Sequence, residues 1–123
     1  MIVFIVPVKS EKVSPDWSSF CKLVERSLGS ICQQTDSQFE VVVVCHEIPP
    51  ISFKHNKIHY VTANFPPPIL TGNTDLEGTE KRETDKGNKI LLGVEYSKQF
   101  NPSHVMVVDS DDCISNKIAA FVN

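Results

Sequence analysis

Asp109, Ser110, Asp111 and Asp112 place three carboxylates within four positions, directly after the apolar run Val105-Met106-Val107-Val108. At an effective dielectric near 20, two unit charges about 4 Å apart interact by roughly 4 kcal/mol. Such a cluster therefore needs solvent, basic side chains or a bound cation to offset it. Hard divalent cations prefer oxygen ligands of this kind. Alternate residues of an extended chain point to opposite faces, but a turn at Ser110 would bring Asp109 and Asp111 onto one ligand. The plainer reading is a solvated acidic turn that closes a strand.

The elements that must position these acids follow from hydrophobic patterning. A continuous apolar run such as Val105–Val108 predicts a strand buried on both faces, as in parallel sheets covered by helices. Its acids then lie at the carboxyl edge, where open α/β sheets bind ligands. Ile2–Val6 and Val41–Val44 are equally unbroken and predict two more buried strands, while Lys57–Val61 alternates and predicts a peripheral one. Ser14-Pro15-Asp16 carries helix-start signals, with Ser14 as N-cap. Trp17, Phe20, Cys21, Val24, Leu28, Ile31 and Cys32 then fall at helical spacing. Gly29 sits inside this pattern, where it costs up to about 1 kcal/mol relative to Ala and leaves room for a neighbour.

Ala63–Glu83 has no period and predicts a flexible loop, over about residues 63–84, beside the site. A helix is expected from Thr84 or Asp85, with Ile90, Leu91, Val94 and Tyr96 inward. Asn101-Pro102 stops the chain before the fourth strand. Ser115 is expected to cap a last helix that buries Ile118, Phe121 and Val122. The resulting β-α-β-β-α-β-α pattern predicts one α/β domain, 1–123. Its mostly parallel open sheet, in order 3-2-1-4, has helices on both faces. That order places Lys9 and Asp109 on either side of one crevice.

Composition narrows the function classes. The 123 residues are 41% hydrophobic and 22% charged, ordinary globular values, and the net charge of −3 gives no footprint for nucleic acid. Ile2–Val6 is too short to span a membrane and lacks the flanks of a signal peptide, so a cytoplasmic protein without a transmembrane segment is expected. Cys21, Cys32, Cys45 and Cys113 form no C-x-x-C pair, and buried free thiols are expected. His55 and His59 are four apart, a metal-binding spacing only on a helix, but they fall in a loop and a strand. No G-x-x-x-x-G-K-[ST] or G-x-G-x-x-G occurs.

Four stretches, taken in order, resemble the amino-terminal half of family-2-like glycosyltransferases with the GT-A fold. They are Ile2–Lys9; Leu28-Gly29-Ser30-Ile31-Cys32-Gln33-Gln34-Thr35 running into Phe39–Val44; Asp85-Lys86-Gly87 with Gly93; and Val107-Val108-Asp109-Ser110-Asp111-Asp112. The resemblance implies a Rossmann-like nucleotide-diphospho-sugar fold, a nucleotide-diphosphate sugar as donor and transfer of the sugar to an acceptor. It implies that Pro7, Val8 and Lys9 line the nucleoside pocket, that Glu47 sits near base or ribose, and that Asp85 and Lys86 face the nucleotide. Asp109 and Ser110 would then meet the donor, and Asp109 and Asp111 would hold Mn²⁺ or Mg²⁺ against the diphosphate. The chain departs from the family at Cys45-His46, where an Asp-Asp pair is common. It also departs after the acidic motif, because the acceptor-binding half, with its catalytic base, is not among these residues. A homodimer or that carboxyl-terminal half would then cover an exposed apolar sheet edge.

Two other classes fit parts of the pattern. A haloacid-dehalogenase-type phosphotransferase also ends a strand in Asp-x-Asp, but normally on its first strand. A non-catalytic half-domain that binds a nucleotide-sugar or a partner needs no acceptor half at all.

Overall fold

The computed structural model describes residues 1–69 and 75–123. Four strands, β1 (Ile2–Pro7), β2 (Phe39–Cys45), β3 (Ile58–Thr62) and β4 (His104–Val107), form one open sheet in the order β3-β2-β1-β4. Every pairing is parallel, including β2–β3, although no helix joins those two strands. Three helices accompany the sheet: α1 (Trp17–Ile31), α2 (Asp75–Ser97) and α3 (Ile118–Val122).

The unbroken apolar runs of β1 and β2 are explained by helices on both faces. Ile2, Phe4 and Val6, with Val41, Val43 and Cys45, pack against α1 and α3 through Val24, Leu28, Ile31 and Ala119. The alternate residues Val3, Ile5, Val42 and Val44 face α2 and pack with Leu92, Val94 and Tyr96. All four residues on the α2 face are fully buried. β3 is an edge strand of half-buried residues, as its alternation suggests.

β4 corrects an expectation. It carries the same apolar signal as β1 but forms the opposite edge of the sheet, with Val105 46% and Val107 39% exposed. Its register with Val3 and Ile5 puts Val105 and Val107 on the α2 side, yet α2 packs over β1 and β2. The buried centre is therefore the β1–β2 pair.

Helix ends are also corrected. Asp16, not Ser14, caps α1, accepting from the Ser19 N–H at 3.1 Å and the Ser19 hydroxyl at 2.8 Å. Ser14 instead closes a short 3₁₀ turn over Glu11–Val13. α3 starts after Lys117, and Ser115 Oγ accepts from the Lys117 N–H one step earlier. Phe121 points outward at 91% exposure because the five-residue helix buries Ala119.

The largest correction concerns α2. Residues 70–74 of the expected loop lie outside the described residues, but the chain is already helical from Asp75. Thr84 and Asp85 are thus interior to a helix and cap nothing. Glu80-Lys81-Arg82-Glu83 is charged on every side, so no apolar period marks it, although Glu, Lys and Arg are good helix formers. Of the expected inward residues, Val94 and Tyr96 pack on the sheet, but Leu91 does not. Lys89, Gly93 and Ser97 are buried at four-residue intervals, with Leu92 packed alongside, while Leu91 is 69% exposed.

Gly93 is the close-approach glycine. A Cβ there would stand 2.7 Å from Ile5 Cγ2 and 3.2 Å from Val44 Cγ2, whereas Gly29 has nothing within 4 Å of the same position. The chain leaves α2 through Asn101 at φ 50°, a left-handed conformation that Asn tolerates, before Pro102. Among the described residues no helix is long and apolar enough to cross a membrane.

Candidate functional site

The carboxyl ends of β1 and β4, Pro7 and Val107, are neighbours in space but far apart in the chain, and they open into a cavity of about 420 Å³. β1 supplies Pro7, Val8 and Lys9 to its wall. The turn after β4 supplies Asp109, Ser110 and Asp111. α2 supplies Arg82, Asp85, Lys86 and Lys89, and the segment entering α1 adds Val13, Pro15 and Phe20. Every site residue expected from the sequence lines this crevice except Glu47. The Lys9–Asp109 juxtaposition expected from strand order 3-2-1-4 is present.

The acidic turn is tight. Asp112 N–H donates to the Asp109 carbonyl at 3.0 Å, which makes Ser110 and Asp111 its central residues and puts Asp109 and Asp111 on one crevice. α1 holds the turn from behind by a row of polar side chains that the apolar stripe conceals. Arg26 Nη2 donates to the Asp111 carbonyl at 3.2 Å, and Ser27 Oγ reaches the Asp109 carbonyl at 3.5 Å. Ser30 Oγ accepts from Ile114 N–H at 2.8 Å and lies 3.1 Å from the Ile114 carbonyl. Gln34 bonds the Ser115 carbonyl and the Ala119 N–H, each at 2.9 Å. Ser30 in the last turn of α1 and Gln34 just past it give the Leu28–Thr35 stretch a structural meaning: it holds the segment that follows the acidic turn.

Glu47 performs a related service for the β1 loop. Its two carboxylate oxygens accept from the Ser10 hydroxyl at 2.8 Å and the Glu11 N–H at 3.2 Å. Ser10 is fully buried, so this contact fixes the backbone that presents Lys9. Lys9 extends over the ring of Phe20, its Nζ 4.5 Å from the centroid. That is cation–π distance.

α2 brings a stripe of charge to the opposite wall. Arg82, Lys86 and Lys89 fall at helical intervals of four and three, with Asp85 between them. Lys86 Nζ lies 2.5 Å from Asp109 Oδ1, and both side chains are about half exposed. Lys89 is 1% exposed and its Nζ lies 2.6 Å from Asp85 Oδ2. The other Asp85 oxygen faces His46 Nε2 at 3.9 Å, beyond hydrogen-bond length, while His46 Nε2 sits 3.0 Å from the Phe65 carbonyl. Asp85 Oδ1 and His46 Nδ1 are both buried without a hydrogen-bond partner among the described residues. Arg82 and Lys89 were not expected at the site; their four-residue and three-residue spacing from Lys86 is the signal that points to them.

No cysteine is among the residues that line the crevice. All four cysteines are free. Burial pushes Cys45, beside His46, up to about 11 against the opposing charge of Lys89, and burial pushes Cys32 up to about 11 as well. Such thiols are inert. Cys113 is exposed rather than buried, because it follows the acidic turn. His55 and His59 are apart from the crevice: His59 Nε2 lies 2.8 Å from Glu40, and His55 Nδ1 accepts from Lys57 N–H.

The fit of the acidic pair to a divalent cation turns on its donor set. One oxygen of Asp109 already meets an ammonium, and among the described residues no three His, Cys, Asp or Glu side chains gather as a metal-holding group. The turn is ion-paired through Asp109 and Lys86.

No protein-family model, curated protein or solved structure matches the chain.

Proposed function

We propose that the crevice binds a nucleotide-diphosphate sugar and that the chain is the donor-binding half of a glycosyltransferase with a Rossmann-like GT-A fold. The observation that carries this reading is the convergence, at the carboxyl edge of a parallel 3-2-1-4 sheet, of the β1 loop, the basic stripe of α2 and the Asp109-Ser110-Asp111 turn. Strand order reverses between β1 and β4, which is where open α/β sheets bind nucleotides. A cavity of about 420 Å³ is of the size that encloses a small ligand.

The chemistry of the walls suits that ligand. Sugar transfer leaves negative charge growing on the diphosphate, and prearranged cations lower that barrier most where water is excluded. Pro7, Val8 and Phe20 give an apolar surface for a base or ribose. Asp109 and Asp111 supply acceptors for hydroxyls. The acceptor substrate and the catalytic base belong to structure beyond this crevice.

Differential scanning fluorimetry with UDP, GDP, ADP and CDP, each with Mn²⁺, tests the reading. At one hundred times its dissociation constant, a bound nucleotide should stabilise the fold by about 2.7 kcal/mol. Asp111→Asn should reduce the shift. Four nucleotides without effect on the melting temperature would exclude donor binding.

A further inference from the structure

We infer that the crevice neutralises a diphosphate with the side chains of Lys9, Arg82 and Lys86, and that binding needs no divalent cation. The inference rests on the donor-binding reading and adds to it the means by which the charge is met.

The pairing of the basic groups sets them apart from one another. Lys89 is committed: it is buried and held by Asp85. Lys9 and Arg82 are exposed, line the crevice, and have no carboxylate within ion-pair distance among the described residues. Arg82 and Lys86 stand four residues apart on α2, one turn above the other on a single helix face. Lys9 faces them from β1. A guanidinium can hold two phosphate oxygens at once, and ammonium groups serve as point charges on either side.

Lys86 is the adjustable member. Its contact with Asp109 joins side chains 46% and 51% exposed, and a pair so hydrated is held weakly. With Asp109 as its partner, the ammonium engages one oxygen of that carboxylate. When a diphosphate enters, Lys86 turns to it, and Asp109 is released to accept a hydroxyl of the ligand. Ammonium and guanidinium groups thus take the role that the acidic motif would otherwise give to Mn²⁺ or Mg²⁺.

Isothermal titration of the chain with UDP, GDP, ADP and CDP, in excess EDTA and again with Mn²⁺, tests this. One of these nucleotides should bind in EDTA with an affinity within about threefold of that in Mn²⁺. Lys86→Ala and Arg82→Ala should each weaken it about tenfold or more, as expected for lost bonds to a charged group. Lys98→Ala, just past the carboxyl end of α2, should leave it within twofold. Binding only with Mn²⁺, lost in Asp111→Asn, would overturn the inference and leave the donor reading standing. Binding in EDTA that Lys86→Ala and Arg82→Ala leave intact would overturn it as well. Failure of all four nucleotides in both buffers would overturn the inference and the donor reading together.

Discussion

Ser30, in the last turn of α1, meets both backbone groups of Ile114 with one hydroxyl, at 2.8 Å from the amide nitrogen and 3.1 Å from the carbonyl oxygen. The contact spans 84 residues of sequence. It fixes the chain two residues past Asp112, and so fixes how far the acidic turn can lean from the sheet.

Ser30→Ala removes a hydroxyl and leaves two partly buried backbone groups without it. The expected loss is about 1–3 kcal/mol of unfolding free energy, measured by urea denaturation. The same variant should weaken nucleotide binding, because Asp109 and Asp111 lose their backing. A stable Ser30→Ala protein with unchanged binding would show that Arg26, Ser27 and Gln34 suffice to hold the turn.

Gly93 lets α2 lie against β1 and β2. An added methyl would come 2.7 Å from Ile5 Cγ2, and both Ile5 and Val44 are fully buried with nowhere to move. Overpacking of this kind costs about 1–3 kcal/mol, against a helix-propensity gain of up to about 1 kcal/mol for Gly→Ala. Gly93→Ala should therefore be destabilising on balance. Gly87, on the same helix with nothing within 4 Å of its Cβ position, isolates the propensity effect. Gly87→Ala should stabilise by up to about 1 kcal/mol. Equal midpoints for the two variants in urea would refute the packing argument.

The pattern of residues conveyed strands better than it conveyed their neighbours. Val41–Val44 and Ile2–Val6 are legible because burial on two faces forbids polar residues on either. Val105–Val108 has the same pattern, yet Val105 and Val107 are half exposed, since an apolar run does not say whether a helix reaches over it. The crevice was legible through Lys9 and Asp109, whose approach needs only the strand order. Its basic wall was hidden. Arg82 lies in a stretch charged all round, and Lys89 is a lysine that ordinary exposure statistics place in solvent. Glu47 is at the carboxyl edge as expected, but its carboxylate is taken by Ser10 and Glu11, a contact that depends on loop geometry alone.

Lys89 is the most buried charge on α2, at 1% exposure, and Asp85 is its ion-pair partner. Removing one partner of such a pair leaves a charge without compensation, at a cost of about 3–5 kcal/mol. Lys89→Met should approach this loss. The double substitution Asp85→Leu with Lys89→Met, which removes both charges and keeps apolar volume, should recover most of it. Urea unfolding of wild type, both single variants and the double variant gives the coupling. Additive losses in the double variant would show that the pair is not a unit.

Glu25 gives the acid side of the stability profile a defined sign. Its carboxylate accepts from the Phe53 N–H at 2.8 Å, the Ser52 N–H at 2.9 Å and the Ser52 hydroxyl at 3.0 Å. The Phe53 amide first, and the Ser52 hydroxyl next, hold this carboxyl below its ordinary value of 4.5. The Ser19 hydroxyl and then its amide do the same for Asp16 below 3.8. In each case the unfolded chain binds the proton more readily than the folded one. The stabilisation is therefore complete above the unfolded value and is lost as pH falls through the lower, folded value. Glu25→Gln should lower stability by a constant amount above about pH 6 and flatten the decline below about pH 4.5, because the titrating group is gone. Denaturation midpoints measured across that range decide it: parallel curves for Glu25→Gln and wild type at every pH would mean that the Ser52–Phe53 contacts hold the loop without favouring the ionised acid.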